Sequence, residues 1–153
     1  MTPVFQKMNL KAQSEIVVLN APESFEPELA ALQGVRVLRS LEDCTAVDFF
    51  LAFVTHQEDL DRLAKAAAAK ARGDALLWFA YPKASSKRYR CEFNRDSGWT
   101  ALGEAGYEPV RQVAIDEDWS ALRFRNAKFI ARMIRPESVA MSAAGKEKAR
   151  KQE

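Results

Sequence analysis

Asp74–Trp99, DALLWFAYPKASSKRYRCEFNRDSGW, is the stretch whose reading decides the fold. Ala75 to Tyr81 is apolar throughout, as a strand covered on both faces of a parallel sheet must be. Pro82 stops it, and a loop crowded with Lys83, Ser85, Ser86, Lys87 and Arg88 follows. Asn94 or Asp96 then reads as the cap of a helix carrying Trp99, Leu102 and Ala105, which Gly106 stops. In an open α/β sheet, ligands bind where strands end and helices begin. This loop is therefore the first place to look for a site.

Working outward, Ala46 to Val54 (AVDFFLAFV) is a second buried-strand pattern. Thr55 and Glu58 have capping-box spacing, and Leu60, Leu63, Ala64, Ala67, Ala68 and Ala71 make a helical stripe that Gly73 ends. Upstream, Glu15 to Leu19 (EIVVL) predicts the first strand. Asn20-Ala21-Pro22 follows, then a helix capped by Ser24 and closed by Gly34, then a short strand over Val35 to Leu38. Pro3 to Met8 is long enough for one or two helical turns. Downstream, Pro109 to Ile115 and Ser120 to Arg125 lie so close that they must form an antiparallel hairpin. Alternating strands and helices imply a parallel sheet with helices on both faces and right-handed crossovers. The expected architecture is a three-layer, Rossmann-like α/β domain over residues 15–136. Residues 1–14 are read as an N-terminal extension and 137–153 as a mobile basic tail.

The 153 residues are one domain by length, and 48% hydrophobic with 29% charged residues excludes global disorder. No window has the ~20 apolar residues of a membrane span, and no basic segment with an apolar run opens the chain, so no signal peptide is read. A cytoplasmic protein with no membrane partner is expected, its Cys44 and Cys91 reduced. A single histidine, His56, excludes a histidine-based metal cluster. Net charge is divided unevenly: residues 1–63 hold 5 basic against 10 acidic residues (−5), and residues 64–153 hold 18 against 11 (+7). A basic second half suits nucleic acid or another anionic partner.

In outline the chain resembles the class I SAM-dependent methyltransferases. ARGDALLWFAYPK sits where those enzymes carry a glycine turn and their fifth strand, and PVRQVAI–DEDWS–ALRFR resembles their last two strands. That resemblance implies that Ser120–Arg125 is the one antiparallel strand and lies between Ala75–Tyr81 and Pro109–Ile115. NAP after the first strand, LLWFAYPKASSK, NRDSGW and PVRQVAIDEDWSALRFR also resemble a family of short bacterial proteins with a domain of unknown function, which implies no activity. The chain departs from the methyltransferase pattern at two points. Asn20-Ala21-Pro22-Glu23-Ser24 has no glycine where the backbone must approach a cofactor. Leu38 is followed by Arg39 and Ser40 rather than by an acid that would accept ribose hydroxyls. On these grounds SAM is expected not to bind, and a dinucleotide GxGxxG is absent.

If the central strand ends beside the first and third, its loop gathers Tyr81, Lys83, Ser85, Ser86 and Lys87 into a crevice with Asn20, His56, Asn94 and Asp96. Cations and helix starts there favour a phosphate, a nucleotide or another small anion. The plainer alternative is a solvated basic loop beside a helix cap. Asp116, Glu117 and Asp118 have the composition of a cation site but read better as a turn. Trp78, Trp99 and Trp119 read as core rather than as stacking platforms. The expected function is a non-catalytic Rossmann-like module with a degenerate cofactor pocket, acting through a protein or small anionic partner. The alternatives are a divergent SAM- or nucleotide-dependent transferase, and an RNA-binding accessory protein. Clustering of Arg111, Arg123, Arg125, Lys128, Arg132 and Arg135 on one face would favour RNA.

Overall fold

A computed structural model describes residues 2–130. The elements in chain order are α1 (Pro3–Lys7), β1 (Glu15–Leu19), α2 (Glu26–Ala30), β2 (Arg36–Leu38), β3 (Val47–Phe53), α3 (Gln57–Lys70), β4 (Ala71–Pro82), α4 (Thr100–Glu104), β5 (Tyr107–Ala114) and β6 (Trp119–Asn126). They build a six-stranded sheet in the order β2-β1-β3-β4-β6-β5. β2, β1, β3 and β4 are parallel, while β6 runs antiparallel to both β4 and β5. The expected mixed sheet, with the last strand slotted between its neighbours, is what the chain forms.

Both faces are covered. On one, α3 contributes Leu60, Leu63, Ala64 and Ala67 and α4 contributes Leu102, packed on Phe50, Leu77, Phe79 and Phe124. Alanines on α3 let it lie close to the sheet. On the other, Phe5 of α1, Met8 just after it, Phe25 just before α2 and Leu29 of α2 pack on Ile16, Phe49, Leu51 and Trp78. The Trp78 indole N–H donates to the Met8 carbonyl at 3.0 Å, which ties residues 3–8 to the central strand. All three tryptophans are buried in the core.

Several local expectations are corrected. Ser24 does not cap a helix: it lies inside a 3-10 turn, Glu23–Phe25, and α2 begins only at Glu26, with Pro27 in its first turn. Gly34 lies beyond the end of α2 and turns the chain into β2 at φ 69°. Gly73 does not end α3; it lies within β4 at φ 57°, where the pairing with β3 slips between Val47 and Phe49. The Thr55–Glu58 capping box does not form, because His56 occupies the N-cap position. No helix starts at Asn94 or Asp96; the Asn94 side chain closes a tight turn by accepting the Asp96 N–H at 2.8 Å, and α4 starts at Thr100. Among the described residues no helix is long and apolar enough to cross a membrane. Arg132, Arg135 and the basic tail over 137–153, with the boundary at 136, lie outside the described residues.

Candidate functional site

The carboxyl ends of β1, β3 and β4 share one edge of the sheet, since Leu19 pairs with Ala52 and Phe53 with Ala80. Above them, residues 91–98 are laced to the start of α3. The Glu92 N–H donates to the Thr55 carbonyl at 3.0 Å, and the Gln57 N–H donates to Glu92 Oε1 at 2.8 Å. Glu92 thus supplies from a distance the capping acceptor that Thr55 does not provide. The Gln57 amide donates to the Gly98 carbonyl at 2.7 Å. A side chain at Gly98 would meet Phe93 Cβ at 2.5 Å and Gln57 Oε1 at 2.7 Å, so only glycine fits, and φ 99° requires it as well.

The loop after β4 is tied to the β5–β6 hairpin. The Lys83 N–H donates to the Asp118 carbonyl at 2.7 Å and the Ser86 hydroxyl to Asp118 Oδ1 at 2.9 Å. Asp116 Oδ1 accepts the N–H groups of Asp118 and Trp119, so the acidic run serves its own turn. Among the described residues no group of three metal-ligating side chains forms.

Between this loop and the hairpin lies a crevice of about 730 Å³, a size that holds a small molecule. Of the residues read from sequence, Tyr81, Lys83, Ser86, Asn94 and Asp96 line it. Ser85 and Lys87 are exposed on the same loop outside the lining. Asn20 and His56 stand at the ends of β1 and β3, also outside it, with His56 Nδ1 3.7 Å from Glu92 Oε1. Arg95, read from sequence as part of a polar cluster with Asn94 and Asp96, also lines it, whereas the sequence reading missed Tyr89, Arg90, Cys91, Phe93, Gln112 and Ser120. Ser120 was legible as the start of a strand facing Tyr81. Gln112 was hidden by the slip in the β5–β6 register between Pro109 and Arg111, which breaks the alternation of PVRQVAI.

Tyr81 forms the buried floor of the crevice. Its hydroxyl accepts a hydrogen bond from the Gln112 amide at 3.1 Å, and its own proton can be donated to a ligand. Burial pushes this phenol above its ordinary range, with nearby Arg95 opposing. The same burial pushes the Cys91 thiol up, so it is a thiol rather than a nucleophilic thiolate at neutral pH. Among the described residues neither Lys83 nor Arg90 pairs with a carboxylate.

At the other end of the same edge, Asn20 adopts φ 59°. This is the left-handed region, which glycine enters freely and asparagine tolerates. The turn after β1 therefore has the backbone shape of a glycine turn without a glycine. Next to it, Arg39, directly after β2, donates to both oxygens of Glu26 at 2.8 and 2.7 Å. The Arg39 guanidinium holds the Glu26 carboxyl below the usual carboxylate range.

The chain is similar in structure to a SAM-dependent methyltransferase from Aquifex aeolicus, at 16% identity and a TM-score of 0.54, over 80% of this chain and 87% of that one. It is similar to the mitomycin 7-O-methyltransferase MmcR at 12% identity and a TM-score of 0.52, over 74% and 49% of the two chains. The N-methyltransferase NodS from Bradyrhizobium japonicum, solved with S-adenosyl-L-homocysteine, matches at 13% identity and a TM-score of 0.50, over 80% and 83%. No protein-family profile and no curated protein matches in sequence. At these identities the likeness shows the fold: a methyltransferase-like Rossmann domain.

Two expectations are corrected by these neighbours. The non-catalytic reading and the exclusion of SAM both rested on the missing glycine turn. One neighbour with this sheet is a SAM-dependent methyltransferase, and another was solved with S-adenosyl-L-homocysteine, the demethylated cofactor. The physical error was to equate glycine with the turn it makes, since Asn20 reaches the same conformation.

Proposed function

We propose that the chain is a divergent SAM-dependent transferase whose cofactor edge lies at the ends of β1 and β2 and whose acceptor crevice lies beyond the end of β4. The observation that carries this is the left-handed Asn20 turn beside the Glu26–Arg39 pair. The residues present fit the cofactor. The Asn20 turn allows the backbone to pass close to a ligand, and Glu26 lies at the edge where ribose hydroxyls would need an acceptor. Arg39 uses two of about four lone-pair sites on that carboxylate, leaving the others free to accept. When bound, SAM supplies an electrophilic methyl group on a sulfonium. The protein's part is to orient the acceptor: Tyr81 offers a hydrogen bond from the crevice floor, and Lys83 and Arg90 favour an acceptor that carries negative charge. Ser86, Asn94 and Asp96 complete the polar wall, with Ser85, Lys87 and His56 on the surrounding rim. Free thiols at Cys44 and Cys91 suit a cytoplasmic protein.

Titration calorimetry with S-adenosyl-L-homocysteine tests the reading. Binding is expected, and Glu26→Gln should weaken it about tenfold or more, the worth of a hydrogen bond to a charged group. Absence of binding by both SAM and its demethylated form would overturn it.

A further inference from the structure

The β5–β6 hairpin carries two arginines where charge repulsion should forbid them. Arg111 and Arg123 are direct cross-strand partners, so their side chains leave the same face of the sheet. That face is the one shared with Trp78, opposite Arg123 on β4. Like charges placed directly opposite one another destabilise an antiparallel pair. Arg123 is half-buried, and its Nε is wholly covered with no hydrogen-bond acceptor. Burial and the neighbouring Arg125 and Arg111 make its charge harder to hold, while Asp74 eases it. Asp74 is nevertheless committed elsewhere: both its oxygens accept from Arg125, at 2.7 to 3.1 Å. Glu108, buried on this face, stands opposite Arg125 rather than Arg123. Among the described residues, neither Arg111 nor Arg123 has an ion-pair partner.

A covered donor without an acceptor calls for a missing water or ion. Two guanidinium forks with no ion-pair partner among the described residues call for an anion with enough oxygens to serve both. A carboxylate's two oxygens lie in one plane and face one fork side by side, whereas a tetrahedral phosphate directs its oxygens apart and can bridge two forks. We propose that Arg111 and Arg123 form a phosphate-binding site on the α1 side of the β5–β6 hairpin, apart from the crevice and the cofactor edge. The ligand is a phosphate group, carried either by a small phosphate ester or by the backbone of a nucleic-acid strand.

Thermal melts of the full chain test this with inorganic phosphate, and with a short single-stranded RNA, against chloride at matched ionic strength. At a phosphate concentration a hundred times its Kd the melting temperature should rise by about 5–10 °C. Arg111→Ala, an exposed position, and Arg123→Gln should each abolish the rise. Lys65→Ala, an exposed lysine on α3 at the opposite face of the sheet, should retain it. In chloride alone Arg111→Ala should melt at or above the parent temperature, because it removes a repulsion; two ordinary surface arginines would give no such sign. RNA acting more strongly than phosphate at equal phosphate-group concentration would identify a strand as the source, and phosphate acting alone would identify a small ester. No shift in the parent, an equal shift in Arg111→Ala, or a shift lost also in Lys65→Ala would each overturn the site.

Discussion

Asn20 and Tyr81 show how much a single residue's environment can say that its identity does not. Asparagine in the left-handed region is tolerated, but a β-branched residue there is strained. Asn20→Val should therefore lower stability by about 1–2 kcal/mol in urea melts, whereas Asn20→Gly should change it by less than about 1 kcal/mol. Equal losses in both would mean that the asparagine side chain, not the backbone, holds the turn. Tyr81 makes a prediction about pH. Its folded phenol is pushed above its ordinary value near 10 by burial. In alkali the unfolded chain loses this proton first, so the folded state holds more protons and stability falls as pH rises from the unfolded toward the folded value. Below the unfolded value the contribution is fully present. Tyr107 shifts the same way, so Tyr81→Phe should shrink the alkaline loss seen in melts across this range without removing it. An unchanged pH profile in Tyr81→Phe would show that this phenol ionises as freely folded as unfolded. The burial of Tyr81 was legible from its apolar strand, but the left-handed φ of Asn20 was not, because φ is a property of the place and not of the letter.

At the scale of elements, the long apolar strands and α3 were legible, and the short helices and their ends were not. AVDFFLAFV and ALLWFAY can only be covered strands, and the spacing of Leu60, Leu63, Ala64 and Ala67 admits only a helix. Capping failed as a guide because acceptors came from far along the chain. Glu92 caps Gln57 across 35 residues, and no local spacing rule sees that. Glu92→Ala should lower stability by about 1 kcal/mol, the usual worth of a cap, and speed hydrogen exchange at the first turn of α3. Exchange there at the parent rate would mean that water replaces the carboxylate without loss. The same logic applies to α1, whose short helix is held by burial of Phe5 and by the Trp78–Met8 hydrogen bond. Trp78→Phe leaves the Met8 carbonyl without its donor. It should lower stability by about 1–3 kcal/mol, with exchange faster over residues 3–8 than over β3.

For the molecule as a whole, strand order was legible while the site was legible only in part. The order followed from the short link between the last two strands and a resemblance of outline. The crevice needed Gln112 and Ser120, which arrive from strands read correctly but with their inward faces unassigned. The order β4-β6-β5 also has a consequence for how the protein is made. The strand that completes the sheet leaves the ribosome last among the six. Until Trp119–Asn126 has emerged, β4 has an apolar edge with no neighbour, and β5 has no strand at all to join. At about 5–20 residues per second, the interval between the end of β4 and the end of β6 lasts seconds, long enough for two nascent chains on one message to meet edge to edge. Synthesis is thus the period of greatest exposure to aggregation, and slowing translation after Pro82 should lower the yield of native protein more than slowing it before Val47.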